Sequence, residues 1–282
     1  MPTSSEQRHP AGTDRTTGAN PRPIAWVDGR VVPASEATVP LTDDGFLRGD
    51  AVFDAMLVRS GRSHAMEDHL ARLRRSAQTL DLRVPVLRQV VTDLLAAWGE
   101  RDGVLRVIVT RGGNVRGLLA AAPVPPSQSL MALDIPWGSA LTKVKTLSYA
   151  LNMWASREAA RHGADDALIV SSGYVHELPT GAICLVHDDV VSSPDHERLP
   201  VLDSITLAQL RAITEVVPAV PSLDDLRSAD ELFVVSATRP VVPISHLLID
   251  GEQLELPAPG PTTERLRSAF DEHIRASLDP RG

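Results

Sequence analysis

Residues 141–163 read LTKVKTLSYALNMWASREAARHG and contain Lys143 and Lys145, the only lysines in a chain of 282 residues. Every other cation among its 28 lysines and arginines is an arginine. A guanidinium stays protonated and cannot attack a carbonyl, whereas an ammonium can lose its proton and become a nucleophile. Two lysines, two residues apart and just ahead of a helical pattern, therefore point to an amine that is used chemically. The plainer alternative is an arginine-rich composition with two surface lysines.

Upstream, the first 22 residues are polar and rich in Pro, Gly and Thr, without hydrophobic period, and are expected to form a flexible tail. IAWVDGRVV, from Ile24, reads as a hairpin turning at Asp28-Gly29. Ala51–Arg59 is apolar at nearly every position, the pattern of a strand buried on both faces. Met66, Leu70, Leu73, Ala77 and Leu80 recur at helical spacing within Ser63–Leu80, and Val86–Trp98 repeats the pattern. Val104–Thr110 reads as a strand followed by a glycine-rich loop, RGGNVRG at 111–117. Leu130–Ile135 is another strand, and Pro136-Trp137-Gly138 is the expected boundary between a small N-terminal unit (23–137) and a larger C-terminal one (138–282).

Downstream, a helix is expected from about Leu147 to His162, stopped at Gly163. DDALIVSSGYVHEL reads as a hairpin with strands 167–171 and 174–178. Strands near 183–186 and 189–192 follow, then a helix starting at Ser204, a short one over Leu223–Arg227 and strand Leu232–Ser236. A hairpin at Ile249-Asp250-Gly251 and a closing helix from Thr262 to about Ser277 complete the chain.

Composition bounds the function. The chain is 43% hydrophobic and 23% charged, as in a globular protein, and has no apolar run long enough to span a bilayer. Its net charge of −8 argues against nucleic acid or an anionic membrane as partner. A single cysteine, Cys184, rules out an internal disulfide and a thiolate metal cluster, and no metal site is expected. The N-terminus lacks the basic and apolar regions of a secretory signal, so the cytoplasm is the expected compartment.

Three features of the second half fit a phosphorylated aromatic aldehyde as ligand. A lysine in a desolvated slot can form an imine. Glu177, ending a hairpin strand, can keep a ring nitrogen protonated. The helix start at Ser204-Ile205-Thr206 and the turn Ser236-Ala237-Thr238 offer amides and hydroxyls to a phosphate. Each has a duller counterpart: Glu177 as an exposed turn acid, Ser204 as an N-cap, SAT as a turn only.

In combination, DDGFLRGDAVFDAMLVRSGR…EDHLARLRRSA, VKTLSY…GADDALIVSSGYVHE, LPVLDSIT and ELFVVSATRPVVPI resemble the class-IV aminotransferases, the fold-type IV pyridoxal-phosphate enzymes, over residues 24–255. Within that family, KTLSY and SATRPVVP look most like actinobacterial 4-amino-4-deoxychorismate lyases. The resemblance implies a two-domain α+β fold with pyridoxal 5'-phosphate in the interdomain cleft, a small-molecule amine substrate and a homodimer. It makes Lys145 the Schiff-base lysine and proton shuttle, Glu177 the ring-nitrogen partner, and Arg72, Ile205, Thr206, Ser236 and Thr238 the phosphate contacts. It places Phe53 beside the active site and makes Arg111 and Arg116 candidates for a substrate carboxylate. Three positions depart from the family pattern: Ala182 for an asparagine, Leu207 for an arginine, and Ala55 for a threonine proposed to assist some lyases. The activity expected first is lyase chemistry, releasing 4-aminobenzoate and pyruvate. Alternatives are a class-IV aminotransferase for D- or branched-chain amino acids, and a non-catalytic cofactor-binding paralogue.

Overall fold

The structure is a computed structural model that describes residues 21–280 except Val86. The expected tail therefore lies almost wholly outside the described residues, as does Val86 at the start of the second expected helix.

The N-terminal elements are β1 (Ile24–Val27), β2 (Arg30–Pro33), α1 (Asp44–Arg48), β3 (Ala51–Arg59), β4 (Arg62–Ser63), α2 (Met66–Thr79), α3 (Arg88–Trp98), β5 (Gly103–Thr110) and β6 (Val115–Ala120). They form a six-stranded antiparallel sheet in the order β2-β1-β6-β5-β3-β4. The β1–β2 turn places Asp28 and Gly29 at φ 49° and 85°, the left-handed pair that a two-residue hairpin of this twist requires. Leu70, Leu73 and Ala77 of α2 and Val90, Leu94 and Trp98 of α3 pack on Met56, Val58, Leu105, Val107 and Leu119 of the sheet. Burial of these side chains stabilises each helix beyond its intrinsic propensity. The glycine-rich loop is shorter than expected, because its second half is β6, paired with both β1 and β5.

The C-terminal elements are β7 (Gln128–Asp134), α4 (Ala150–Arg161), β8 (Asp166–Ser171), β9 (Tyr174–Val175), β10 (Ala182–His187), β11 (Val190–Pro194), α5 (Ile205–Leu210), β12 (Val217–Ala219), α6 (Leu223–Arg227), β13 (Glu231–Ser236), β14 (Arg239–Ile249), β15 (Glu252–Glu255) and α7 (Pro261–Ala276). Their nine-stranded sheet runs β12-β11-β10-β13-β14-β7-β8-β9, with β15 on β14. Side chains alternate between two apolar layers. Cys184, Val186, Phe233 and Val235 face α5 and α7, while Ile183, Leu185, Leu232 and Val234 face the layer holding Leu226 of α6.

Several boundaries differ from the sequence reading: α2 begins at Met66 rather than Ser63, and β9 stops at Val175, so the expected strand 174–178 is cut short and Glu177 lies beyond it. Two further differences bear on the site. β7 pairs in parallel with β8 and β14, so the chain enters the second sheet between Ala120 and Gln128 rather than at 137. A parallel strand needs partners far away in sequence, which local pattern does not reveal. Helix α4 starts at Ala150, not 147, because Lys145–Leu147 is extended along β3. There the Phe53 amide donates to the Lys145 carbonyl at 3.0 Å and the Leu147 amide to the Ala51 carbonyl at 2.9 Å. This short seam joins the two sheets at the place where the cavity opens.

Candidate active site

The seam explains why Lys145 is held where it is. Its amide donates to Ser76 Oγ at 3.1 Å, and the neighbouring Thr146 hydroxyl donates to the Ala51 carbonyl at 3.1 Å. The backbone is thus tied to β3 and α2, and the side chain enters a cavity of about 540 Å³ between the two sheets. Its Nζ lies 4.7 Å from the Phe53 ring centroid and 5.9 Å from that of Tyr149. These two rings meet edge-to-face at 5.2 Å and wall the amine on its apolar side. Burial and the nearby Arg72 guanidinium push the Lys145 amine down to about 8. Lys143 is exposed.

Glu177 follows β9 and lines the same cavity. Burial pushes its carboxyl up to about 7, against the opposing pull of the Leu202 amide, which donates to Oε2 at 3.1 Å. A ring cation facing this acid would supply the positive charge that the site lacks there.

Arg72, on the buried face of α2, lies beside the cavity on a triad that reaches into β3. Its Nε and Nη2 donate to the two oxygens of Asp54, each at 2.8 Å, and His69 Nδ1 contacts Asp54 Oδ1 at 2.8 Å. Although burial alone would raise it, Arg72 and His69 hold the Asp54 carboxyl well below the usual carboxylate range. Arg72 Nη1 donates to the Asp203 carbonyl at 2.9 Å, fixing the entry to α5. The Asp54 side chain thus orients the guanidinium with N–H groups to spare for a ligand.

At the start of α5 the Ser204 hydroxyl accepts from the Leu207 amide at 3.2 Å, so Ser204 is the N-cap. The amides of Ile205 and Thr206 have no partner among the described residues. Thr206, Ser236 and Thr238 line the cavity, the last two with hydroxyls 3.1 Å apart. Ile205 is buried behind them and brings only its amide. Free amides, hydroxyls and the Arg72 fork are the donor set a phosphate requires.

Arg111 and Arg116 are not part of the cavity lining of their own chain. Arg111 pairs with Asp50 at 2.8 Å and donates to the Leu80 and Asp81 carbonyls at 2.6 and 2.7 Å, capping the end of α2. Arg116 is buried, donating to the Thr38 carbonyl at 2.8 Å and to Asp28 at 2.9 Å. Turn geometry consumed both, because each sits beside carbonyls left unpaired by a loop or helix end. Besides Lys145 and Arg72, the cavity is lined by a further cation, Arg106, on β5 opposite Ala55 of β3. It is half-buried, its pKa lowered by that burial, and among the described residues no carboxylate or carbonyl accepts from it. Arg106 interrupts an otherwise apolar strand, VLRVIVT, and that interruption was the available signal. Asp54 interrupts AVFDAMLV in the same way.

The three departures also find places. Ala55 lines the cavity beside Arg106, and Ala182 lines it near Glu177. Leu207 is buried in the layer under α5. Among the described residues no group of three or more His, Cys, Asp or Glu is arranged to hold a metal, and no helix is long and apolar enough to cross a membrane.

Comparison with known proteins adds four findings. The model of the family described as amino-transferase class IV matches residues 51–247. A putative branched-chain-amino-acid aminotransferase of Methanocaldococcus jannaschii is 28% identical, covering 87% of this chain and 94% of that protein. A bifunctional aminodeoxychorismate lyase / D-amino acid transaminase of Mycobacterium tuberculosis is 34% identical over 194 residues, covering 58% of this chain and 66% of that one. A hypothetical aminotransferase from M. tuberculosis, solved in a PLP-bound form and in a form with alpha-ketoglutarate and PMP, superposes with a TM-score of 0.79 at 27% identity, covering 90% of this chain and 99% of its own.

Proposed function

Since the chain belongs to class IV of the aminotransferases, which are pyridoxal-phosphate enzymes, we propose that it transfers an amino group between a small amino acid and a 2-keto acid, one of the pair carrying a second carboxylate. One juxtaposition carries this reading. An amine with a pKa of about 8 and an acid with one of about 7 face one cavity, and so does the Arg106 guanidinium, which has no acidic partner among the described residues.

The residues present fit the cofactor. Arg72, the Ile205 and Thr206 amides and the Ser236 and Thr238 hydroxyls would hold its phosphate, Glu177 its ring nitrogen, and Lys145 its aldehyde carbon. When bound, pyridoxal phosphate supplies a carbonyl for an amine and a ring that takes up the electrons of a carbanion. Everything else is done by the chain. Lys145 Nζ, displaced by the substrate amine, removes and returns the proton on the carbon bearing that amine. The pKa of about 8 leaves a useful fraction of free base near neutrality, which an exposed lysine would not have. Phe53 and Tyr149 exclude water from the amine, and Arg106 pairs with the carboxylate of the substrate farther from it. The alpha-ketoglutarate bound by the M. tuberculosis neighbour is a dicarboxylate of this kind.

The lyase reading stands second. It is supported by the bifunctional M. tuberculosis relative and by a cavity of about 540 Å³, roomy enough for a cyclohexadiene dicarboxylate. Ala55 counts against it, since no hydroxyl stands at the position where the resemblance implies an assisting threonine. The proposal also includes a homodimer, supported by the exposed apolar side chains Val39, Leu41, Phe46 and Leu47 around α1.

The test is turnover of the PLP-loaded protein with D-alanine, or a branched-chain amino acid, plus 2-oxoglutarate, and separately with aminodeoxychorismate alone. Keto-acid-dependent turnover supports the transferase. Formation of 4-aminobenzoate without a keto acid supports the lyase. No change in the cofactor absorbance at roughly 330–420 nm with any amine would identify a non-catalytic paralogue.

A further inference from the structure

The cavity wall contains a second built feature, on the side of the C-terminal sheet. Leu178–Gly181 is a tight turn in which the Leu178 amide donates to the Gly181 carbonyl at 2.9 Å, with Pro179 and Thr180 at its tip. Proline fixes the first corner of such a turn, so the tip is rigid. Asn152 of α4 donates to the Pro179 carbonyl at 3.1 Å and anchors it further. Behind the tip lies Arg239, buried, and paired with the equally buried Asp166 at 3.1 Å. Its Nη1 also donates to Gln128 Oε1 at 2.9 Å, and its Nη2 donates to Thr180 Oγ1 at 2.7 Å. Asp166 in turn accepts from the Ser156 hydroxyl at 2.8 Å. Gly181 leaves room for this approach, since a Cβ there would lie 2.9 Å from Val234 Cγ1 and 3.3 Å from Arg239 Nη2.

A guanidinium only donates, so the Thr180 oxygen must accept, and its own proton points elsewhere. No acceptor for that proton exists among the described residues, and Thr180 lines the cavity that holds Lys145. A hydroxyl that accepts from a cation is polarised and is a better donor to an anion in front of it. We propose that the Thr180 hydroxyl donates to the substrate's α-carboxylate, with Arg239 as the positioning residue that fixes and polarises it. This rests on the aminotransferase reading and adds to it a contact on the cavity wall formed by the C-terminal sheet, whereas Arg106 projects from the N-terminal one.

The experiment deletes the contact from both sides. The first half-reaction of the PLP-loaded enzyme is followed by cofactor absorbance with the preferred enantiomer of alanine and with ethylamine, which lacks the carboxylate. Thr180→Val removes the hydroxyl at constant shape and is expected to lower the preference for alanine over ethylamine about tenfold, the loss of one hydrogen bond to a charged group. Thr180→Ser is expected to restore the preference to within about twofold of the wild type. Arg239→Lys, which keeps the charge opposite Asp166 but loses the fork, should lower it by a smaller factor. Equal losses for the two amines in Thr180→Val, or no loss for either, would overturn the assignment and leave the network a purely structural one. If neither amine reacts with the wild type, the aminotransferase reading fails. Propionate affinity of the PLP-loaded protein then decides the point by itself: weakening of about tenfold in Thr180→Val supports the contact, and unchanged affinity rejects it.

Discussion

Lys145 and Glu177 are displaced from their ordinary pKa values in opposite directions, burial being the largest cause for each, and each displacement makes a measurable prediction. The rate at which the apo-protein captures pyridoxal phosphate should rise with pH through a midpoint near 8, following the free amine of Lys145. In Lys145→Ala both capture and turnover should vanish, and retained full turnover would refute the assignment. For Glu177 the folded value of about 7 stands above the unfolded 4.5, so the folded protein binds more protons between these limits. The stability it contributes is full below 4.5 and is lost as pH rises through 7. Urea melts of the apo-protein should therefore show a smaller decline across this window in Glu177→Gln than in the wild type. Arg72 is the third case. Arg72→Met leaves the fully buried Asp54 with His69 and the Ala55 amide but without its guanidinium, and should cost about 3–5 kcal/mol in the same melts, the usual penalty for stranding one partner of a buried pair. A loss under 1 kcal/mol would mean that the triad is not stabilised as its geometry implies.

Elements with a sustained apolar pattern or an explicit cap were the most legible ones. Ala51–Arg59 and Leu223–Arg227 coincide with the sequence reading, and α7 is displaced by one residue at each end. Their apolar periods are long or their caps explicit, as with Ser222, which forms a capping box with Asp225 ahead of α6. Short or non-local elements were missed. β6 hid behind RGGNVRG because its edges pair with β1 and β5, and the long strand β14 hid behind prolines and a bulge. At the head of α7 a different device operates: Glu231 of β13 accepts from the Thr262 and Thr263 amides at 2.9 and 2.7 Å, replacing a local cap. Glu231→Ala should lower stability by about 1–3 kcal/mol, since two buried amides lose a charged acceptor. Thermal unfolding by circular dichroism reads this directly, and an unchanged midpoint would mean that water replaces the carboxylate.

At the scale of the molecule, the exposed Phe46 and Leu47 of α1 predict association. Light scattering should report twice the chain mass, and Leu47→Arg should shift the species toward one chain mass, because a charge in an apolar interface is left unpaired. A wild type that is already monomeric would remove the homodimer from the proposal. A rare lysine, a glutamate after a strand and the hydroxyl-bearing SIT and SAT segments are local signals, so the sequence alone singled out Lys145, Glu177 and two turns that the fold brings to one cavity. It also determined which runs are buried, through their period. The tertiary structure was needed to show that Arg106 joins Arg72 at the cavity while Arg111 and Arg116 do not. Every arginine has the same chemistry, so its place depends on which carbonyls and carboxylates the fold leaves near it. Arg111 and Arg116 have such partners at a helix end and a loop, whereas Arg106, brought to the cavity of Lys145 by the N-terminal sheet, has none among the described residues.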